Sequence, residues 1–297
     1  MTVSSQVVEY PAIWIAGGSC SGCSVSLLNS VSPSIANVLL EPVLPGKHVN
    51  LRFHATIMAG QGEPAVQVFQ ETAAQKPNEY LLLVEGSVPT GEDGLFCTIG
   101  EMGGHHFTMV DTMLELASSA LAIISVGTCA SFGGIPSGAP NPTGSMSVRN
   151  ALAQAGIDKP LINVPGCPPH PDWLVGTIAS VLLTGLPGPD DLDAALRPKA
   201  FYGTLIHDNC PRRAFFDAGQ FAKHTGEPGC LYEIGCKGPQ TYADCPIRLW
   251  NNGVNWCIGS GAPCIGCVEP GFPDKLQPMA TKMVGTDLDR FKISVKQ

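Results

Sequence analysis

Charge is scarce in this chain. Of 297 residues only 17 are Lys or Arg and 25 are Asp or Glu, 14% together, against roughly 25% in an ordinary soluble protein. A surface so thinly charged suggests that much of it is covered, most simply by a partner subunit. The net charge of −8 leaves no basic stripe to neutralise phosphates, which excludes nucleic acid as a partner. Long apolar runs are missing too. Leu116–Val126 and Val175–Leu186 are broken by Ser, Thr and Gly and are too short for a bilayer, so no membrane span is expected. The first residues, MTVSSQVVEYPAIW, have neither a basic region nor an apolar signal core. The expectation is a soluble chain, cytoplasmic as written, or periplasmic if a leader has been removed or is supplied by a partner. Repetition is also absent: 34 glycines and 26 prolines indicate many loops, but not low-complexity disorder.

Cysteine is plentiful. There are twelve, at 20, 23, 97, 129, 167, 210, 230, 236, 245, 257, 264 and 267. With 44% apolar residues, a chain of this length can build a core without disulfide staples, and nothing in it calls for an oxidising compartment. Buried free thiols would account for one or two cysteines. Metal ligation is therefore the leading class.

The first part of the chain alternates strands and helices. Strands are expected at Glu9–Ala16, Leu51–Met58, Tyr80–Glu85, Leu121–Val126 and Leu161–Val164. Helices are expected at Ser24–Asn29, Glu63–Gln75, Met109–Ser118, Ser147–Ala155 and Asp172–Leu183. Continuous apolar strands, each followed by a helix, predict a parallel sheet covered on both faces, an α/β doubly wound domain over residues 1–196. The acidic, proline-bounded segment Pro187–Pro198 reads as a connection. Beyond it, over residues 197–297, the pattern gives way to Gly-, Pro- and Cys-rich loops with short helices at Arg213–Lys223 and Tyr242–Trp250. Seven of the twelve cysteines lie there. A segment so poor in core needs a substitute for apolar packing, which metal sites can provide.

Three constellations follow. Cys20 and Cys23 follow the first strand in GGSCSGCS, Cys129 follows a later one in VGTCASFGG, and Cys167 follows the last in NVPGCPPHP. All four thus fall at the carboxyl edge of a parallel sheet, where open α/β folds bind ligands. Glycines at 17, 18, 22, 127 and 166 allow close backbone approach. A 4Fe–4S cluster or zinc would suit such a set, whereas GGSCSG lacks the glycine spacing of a dinucleotide fingerprint. His207, Cys210, Cys230 and Cys236 form a second set, which on spacing alone also suits structural zinc. Cys245, Cys257, Cys264 and Cys267 form a third, with CIGC between Pro263 and Glu269-Pro270 in the manner of compact turns that wrap iron–sulfur cubes; zinc is again the rival. Eleven cysteines and His207 make twelve donors, enough for three four-ligand sites, and Cys97 is left as a structural or spare thiol. Glu85, after YLLLVE, belongs near the same sheet edge, where a buried carboxylate would relay protons or accept N–H bonds in a turn. His105-His106 reads as a surface or helix-start feature. Trp14, Trp173, Trp250 and Trp256 read as core or interface packing.

The strings GGSCSGCSVSLLN, EGSVP, VGTCASFGGIP, NVPGCPPHPDW, IHDNCP, GCKGP and CIGCVEP, spread from about Trp14 to Pro273, resemble the small, electron-transferring subunit of nickel–iron hydrogenases. The resemblance implies a flavodoxin-like domain followed by an irregular, loop-rich iron–sulfur domain, with three clusters in a line. Cys20, Cys23, Cys129 and Cys167 match the ligands of a proximal 4Fe–4S cluster. His207, Cys210, Cys230 and Cys236 match those of a distal 4Fe–4S cluster. Cys245, Cys264 and Cys267 match those of a medial cluster that is usually 3Fe–4S. Most relatives carry proline where this chain has Cys257. A fourth thiolate can hold a fourth iron, so the medial cluster is expected to be 4Fe–4S, as in the nickel–iron–selenium branch. Gly22 stands where oxygen-tolerant relatives have an extra cysteine, and the tail beyond Asp274 lacks their membrane helix. The implied activity is the hydrogenase reaction H2 ⇌ 2H+ + 2e−, an oxidoreductase chemistry. Catalysis occurs at a nickel–iron centre on a separate large subunit, and this chain passes electrons singly to an acceptor protein such as a cytochrome or ferredoxin. Two other readings stand beside it: a stand-alone carrier or zinc-stabilised interaction protein, and the related subunit of a respiratory quinone reductase, which lacks counterparts of the eight carboxy-terminal donors.

Overall fold

The structure, a computed structural model, describes residues 7–41, 46–276 and 281–282. Seven strands form: β1 (Val8–Ala16), β2 (Lys47–His54), β3 (Leu81–Glu85), β4 (Thr98–Met102), β5 (His105–Thr108), β6 (Ala122–Val126) and β7 (Leu161–Val164). The helices of the first part are α1 (Gly22–Leu28), α2 (Ile35–Leu40), α3 (Glu63–Gln75), α4 (Met109–Ser119), α5 (Gly127–Phe132), α6 (Val148–Gln154) and α7 (Pro171–Thr184). Beyond them lie α8 (Lys199–Tyr202), α9 (Arg213–Asp217) and α10 (Cys245–Arg248), each a turn or so long.

Five strands make one all-parallel sheet in the order β2-β1-β3-β6-β7, the flavodoxin-like order. Strands β3 and β6 are buried at every position, which is why they read as unbroken apolar runs. Two apolar layers sandwich the sheet. One gathers Ile13, Ile15, Phe69, Leu82, Met113 and Leu116. The other gathers Trp14, Leu81, Leu83, Ile124, Trp173 and Ile178, and continues without a break into Leu231, Trp256, Ile258 and Val268. The loop-rich second part therefore has no separate core; it extends one face of the sheet.

Several expected elements are placed differently. The second strand spans Lys47–His54 rather than Leu51–Met58, because the chain turns at His54: the Thr56 N–H donates to His54 Nδ1 (3.2 Å) and the Met58 N–H to the His54 carbonyl (3.1 Å). The helix expected at Arg213–Lys223 stops at Asp217, since Gly219 takes a φ of +67° and folds its N–H back onto Phe216. The one expected at Tyr242–Trp250 shrinks to Cys245–Arg248, with Pro246 at its first turn and Leu249 at a φ of +59° ending it. His105 and His106 lie on β5, in a β4–β5 hairpin, and not at a helix start. The tail after Asp274, expected to lack a membrane helix, falls largely outside the described residues. Among the described residues, no helix is long and apolar enough to cross a membrane.

The connection between the two parts carries a buried ion pair. Arg197, 1% exposed, reaches Asp193 (2.7 Å), Glu269 (3.1 Å) and the Val268 carbonyl (3.0 Å), while Glu269 is wholly buried and also accepts the Tyr242 N–H. Burial raises the Glu269 pKa, and Arg197 opposes that shift. Removing one member of such a pair strands the other. Arg197→Ala should lower stability by about 3–5 kcal/mol, read as a fall in the urea midpoint; an unchanged midpoint would show that the pair is dispensable.

Candidate metal centres

The first donor set is assembled by the sheet edge. Strand β1 ends in Gly17-Gly18, and Ser21, in the left-handed region at φ 61°, turns the chain into α1, so Cys20 and Cys23 flank the turn. Cys129 sits in the first turns of α5 directly after β6, and Cys167 follows β7. Close packing requires glycine here: a Cβ on Gly127, whose φ is +86°, would stand 2.4 Å from the Cys23 sulfur.

These thiols lie within electrostatic reach of one another. Burial raises the Cys23 pKa far above the usual thiol value, and Glu85, Cys129, Cys20 and Cys167 raise it further. Cys129 is pushed up to about 11 by burial and by Cys167. Cys167 is raised by burial and by Cys20. Three neighbouring sulfurs that resist ionisation call for a compensating cation, and bound metal deprotonates coordinating thiols outright.

Glu85 anchors this turn. Wholly buried, its Oε1 accepts the N–H groups of Cys23 (3.1 Å) and Ser24 (3.2 Å), while Oε2 accepts Trp14 Nε1 (3.0 Å) and Ser24 Oγ (2.5 Å). The Ser24 hydroxyl also meets His54 Nε2 at 3.3 Å, and burial lowers the His54 pKa. Of the two roles weighed for Glu85, the hydrogen bonds match the acceptor of backbone N–H groups.

His207, Cys210, Cys230 and Cys236 line one small enclosed cavity together with Ile206 and Tyr232. His207 Nε2 is buried there without a hydrogen-bond partner, an orphaned polar atom that a metal bond would satisfy. The Phe216 ring packs edge-on against the imidazole at 4.6 Å. Arg212 holds the loop before Cys230 through the Glu227 (2.9 Å) and Gly229 (2.7 Å) carbonyls.

Cys245, Cys257, Cys264 and Cys267 line a largely apolar cleft of about 550 Å³, and Cys167 of the first set lines it too. The Cys257 and Cys264 thiols are hydrogen-bonded to each other; the bond lowers the Cys257 pKa and raises that of Cys264, which burial raises further. Cys267 is pushed up to about 12 by burial, eased by the Cys167 N–H. On the far side, Cys236 is pushed to about 11 by burial, eased by N–H groups of Gly238 and Cys264. The third set therefore lies between the other two.

All twelve cysteines are free thiols. Among the described residues, no three His, Cys, Asp or Glu side chains converge closely enough to hold a single metal ion. The donors of the second and third sets line shared cavities instead of meeting at points, which fits a multi-iron cluster better than zinc. Cys97 belongs to none of the sets; it is half-buried beside β4. His105 and His106 are exposed, the latter 3.8 Å from Glu101. Trp14, Trp173 and Trp256 are buried, and Trp250 packs on the His170 ring at 4.9 Å. Sequence reasoning missed the residues that hold the turns: Ser24 and Trp14 around Glu85, Arg197 against Glu269, and Thr128 beside Cys129. For Ser24 and Thr128 the one signal was a polar side chain next to a donor; Trp14 and Arg197 carried none.

Two family models match the chain. One is described as the C-terminal part of the NiFe/NiFeSe hydrogenase small subunit, over residues 202–280, and the other as the NADH ubiquinone oxidoreductase 20 Kd subunit, over residues 20–181. The periplasmic [NiFeSe] hydrogenase small subunit of Desulfomicrobium baculatum is 48% identical over 277 residues, covering 90% of this chain and 86% of that one. The periplasmic [NiFe] hydrogenase small subunit of Solidesulfovibrio fructosivorans is 40% identical over 271 residues, covering 90% and 80%. Among solved structures, the H2-activated [NiFeSe]-hydrogenase of Dm. baculatum superposes with a TM-score of 0.86 at 47% identity, covering 93% of this chain and all of that one. The recombinant [NiFeSe] hydrogenase of Desulfovibrio vulgaris Hildenborough gives 0.87 at 44%, covering 94% and 99%. The sheet order and the cysteine-bearing edge are those of a metal-binding electron carrier built on a flavodoxin-like scaffold. The chain belongs to the small-subunit family of nickel–iron and nickel–iron–selenium hydrogenases. It is thus the electron-transfer subunit of an oxidoreductase, in a family that carries iron–sulfur clusters and pairs with a large subunit.

The tight packing at Gly127 makes a direct check. Gly127→Ala adds a Cβ against the Cys23 sulfur in a left-handed backbone and should cost about 1–3 kcal/mol, measured by thermal unfolding. A variant as stable as the parent would contradict the placement of Cys23.

Proposed function

We propose that the chain holds three iron–sulfur clusters and passes electrons from a nickel–iron centre on its large subunit to an external carrier protein such as a cytochrome or ferredoxin. The observation that carries this reading is the succession of donor sets, the third touching the first through Cys167 and the second through Cys236. Cys20, Cys23, Cys129 and Cys167 would hold the proximal cluster, Cys245, Cys257, Cys264 and Cys267 the medial, and His207, Cys210, Cys230 and Cys236 the distal, each 4Fe–4S. When bound, such clusters supply one-electron redox centres whose potentials depend on ligand type, burial and hydrogen bonds to sulfur.

The chain's own residues set those conditions. Glu85 fixes the Cys23 turn through two backbone N–H groups, so its first task is positioning. Buried N–H groups of Gly238 and Gly266 donate to sulfurs and stabilise the thiolate form. His207 contributes a neutral imidazole in place of a thiolate, which makes the distal set less negative and eases electron acceptance there. The contact of Cys257 with Cys264 supports a fourth thiolate in the medial set. Apolar side chains stand exposed around the Cys20 turn and the 249–255 loop, Val25, Leu28, Val31 and Val254 among them, as expected of a surface covered by the large subunit. We divide the chain at residue 196, where the sheet domain ends and the cluster domain begins, and favour the periplasm on the names of the two relatives described above.

The function is tested on the assembled heterodimer. A broad brown absorption and H2-dependent dye reduction are expected; a colourless protein would mean zinc and end the reading. Cys257→Pro should convert the medial site to 3Fe–4S, with one iron lost per chain and a new signal in the oxidised-state electron spin resonance spectrum. A strong 3Fe–4S signal in the anaerobic parent, unchanged by the substitution, would refute the fourth ligand. His207→Cys should keep a distal cluster while slowing electron exit, whereas Cys210→Ala should lose it. Full iron and full turnover in Cys210→Ala would mean the distal set is wrong.

A further inference from the structure

One buried hydroxyl joins turns that carry donors of different sets. Thr128, 1% exposed, precedes Cys129 in α5. Its Oγ1 accepts the N–H of Gly166 (2.9 Å), the residue before Cys167, and donates to the carbonyl of Cys267. Its own N–H donates to the Gly166 carbonyl (3.0 Å). One residue further on, Cys167 lines the same cleft as Cys264 and Cys267. The two turns are separated by 139 positions of sequence between Thr128 and Cys267, so no local chain geometry sets their spacing.

The Thr128 side chain is therefore the polar link that holds the Cys129–Cys167 turns in register with the Cys264–Cys267 turn. The opposite side of that turn is fixed by Arg197 on the Val268 carbonyl and on Glu269. With both sides held, Cys167 and Cys267 stay adjacent on the wall of one cleft. Electronic coupling falls steeply across open gaps and much less across bonds and short hydrogen bonds, so keeping this link short governs how strongly the two sites communicate. Buried polar partners that orient ligand-bearing turns act in this way around metal sites generally.

We infer that Thr128 is a positioning residue that sets the coupling between the proximal and medial sites by bridging the Gly166 amide and the Cys267 carbonyl. The inference rests on the ligand sets proposed above. It is tested in the purified heterodimer by Thr128→Val, which keeps the shape and deletes the hydroxyl, and Thr128→Ser, which keeps the hydroxyl. Iron content and the magnetic splitting between clusters in the H2-reduced electron spin resonance spectrum are recorded for each. Thr128→Val is expected to retain its iron but narrow or lose the splitting, and Thr128→Ser to keep the parent spectrum. Full iron with an unchanged splitting in Thr128→Val overturns the bridge. If Thr128→Val fails to load iron, Thr128→Ser decides: full iron and the parent splitting support the bridge, and loss of either overturns it. A parent heterodimer with no interacting cluster signals would instead refute the ligand sets themselves.

Discussion

Sulfur in a low-dielectric interior resists ionisation, and this fold brings nine of the eleven donor cysteines and one imidazole into buried or half-buried turns, leaving Cys20 and Cys257 exposed. In the first set the thiols raise their neighbours' cost of losing a proton, as Cys129, Cys20 and Cys167 do to Cys23. Such crowding is tolerable only where rigid backbone holds the turns and positive charge offsets the repulsion. The rest of the architecture follows from that requirement. Five parallel strands deliver the first set to one edge, and the wholly buried Glu85 ties its α1 turn down with two backbone N–H groups.

The second part of the chain solves a different problem. Its helices are single turns and its apolar residues merge with the face of the sheet that carries Trp173 and Ile178. What fixes its loops is polar and specific: Arg197 against Glu269, Arg212 on two loop carbonyls, and the backbone amides that reach sulfur from Cys264 and Gly238. With so few charges in the chain, the buried Arg197 and Glu269 stand out as structural components. Removing solvent from them costs free energy that only their mutual contact and neighbouring carbonyls offset. Thr128 extends the same logic across the boundary between the two parts.

Much of this was legible beforehand. The sheet strands at β3, β6 and β7 and the helices α3, α4 and α7 were expected within a residue or two, because long apolar runs and helical periodicity are local properties. The twelve donors proposed above were picked out from motif spacing, from positions after strands and from the resemblance to the hydrogenase small subunit. The second strand, the two short helices and the β4–β5 hairpin were misread for one physical reason. Each depends on a turn, at His54, Gly219, Leu249 or Gly103-Gly104, set by hydrogen bonds and positive φ angles within a few residues, which apolar periodicity does not register.

By itself the sequence determined the sheet class and the positions of the twelve candidate donors, the thiol at Cys257 among them, since these are matters of residue type and spacing. The order of the sets was implied by the family resemblance, but only the tertiary structure decided which residues adjoin, with Cys167 lining the cleft of the third set and Cys236 beside Cys264. It alone brought Cys257 onto Cys264 and Cys167 beside Cys267, and it alone turned Glu85, Arg197 and Thr128 into anchors. Contacts between residues far apart in the chain leave no periodic trace in it, because packing and hydrogen bonding in three dimensions are what select them.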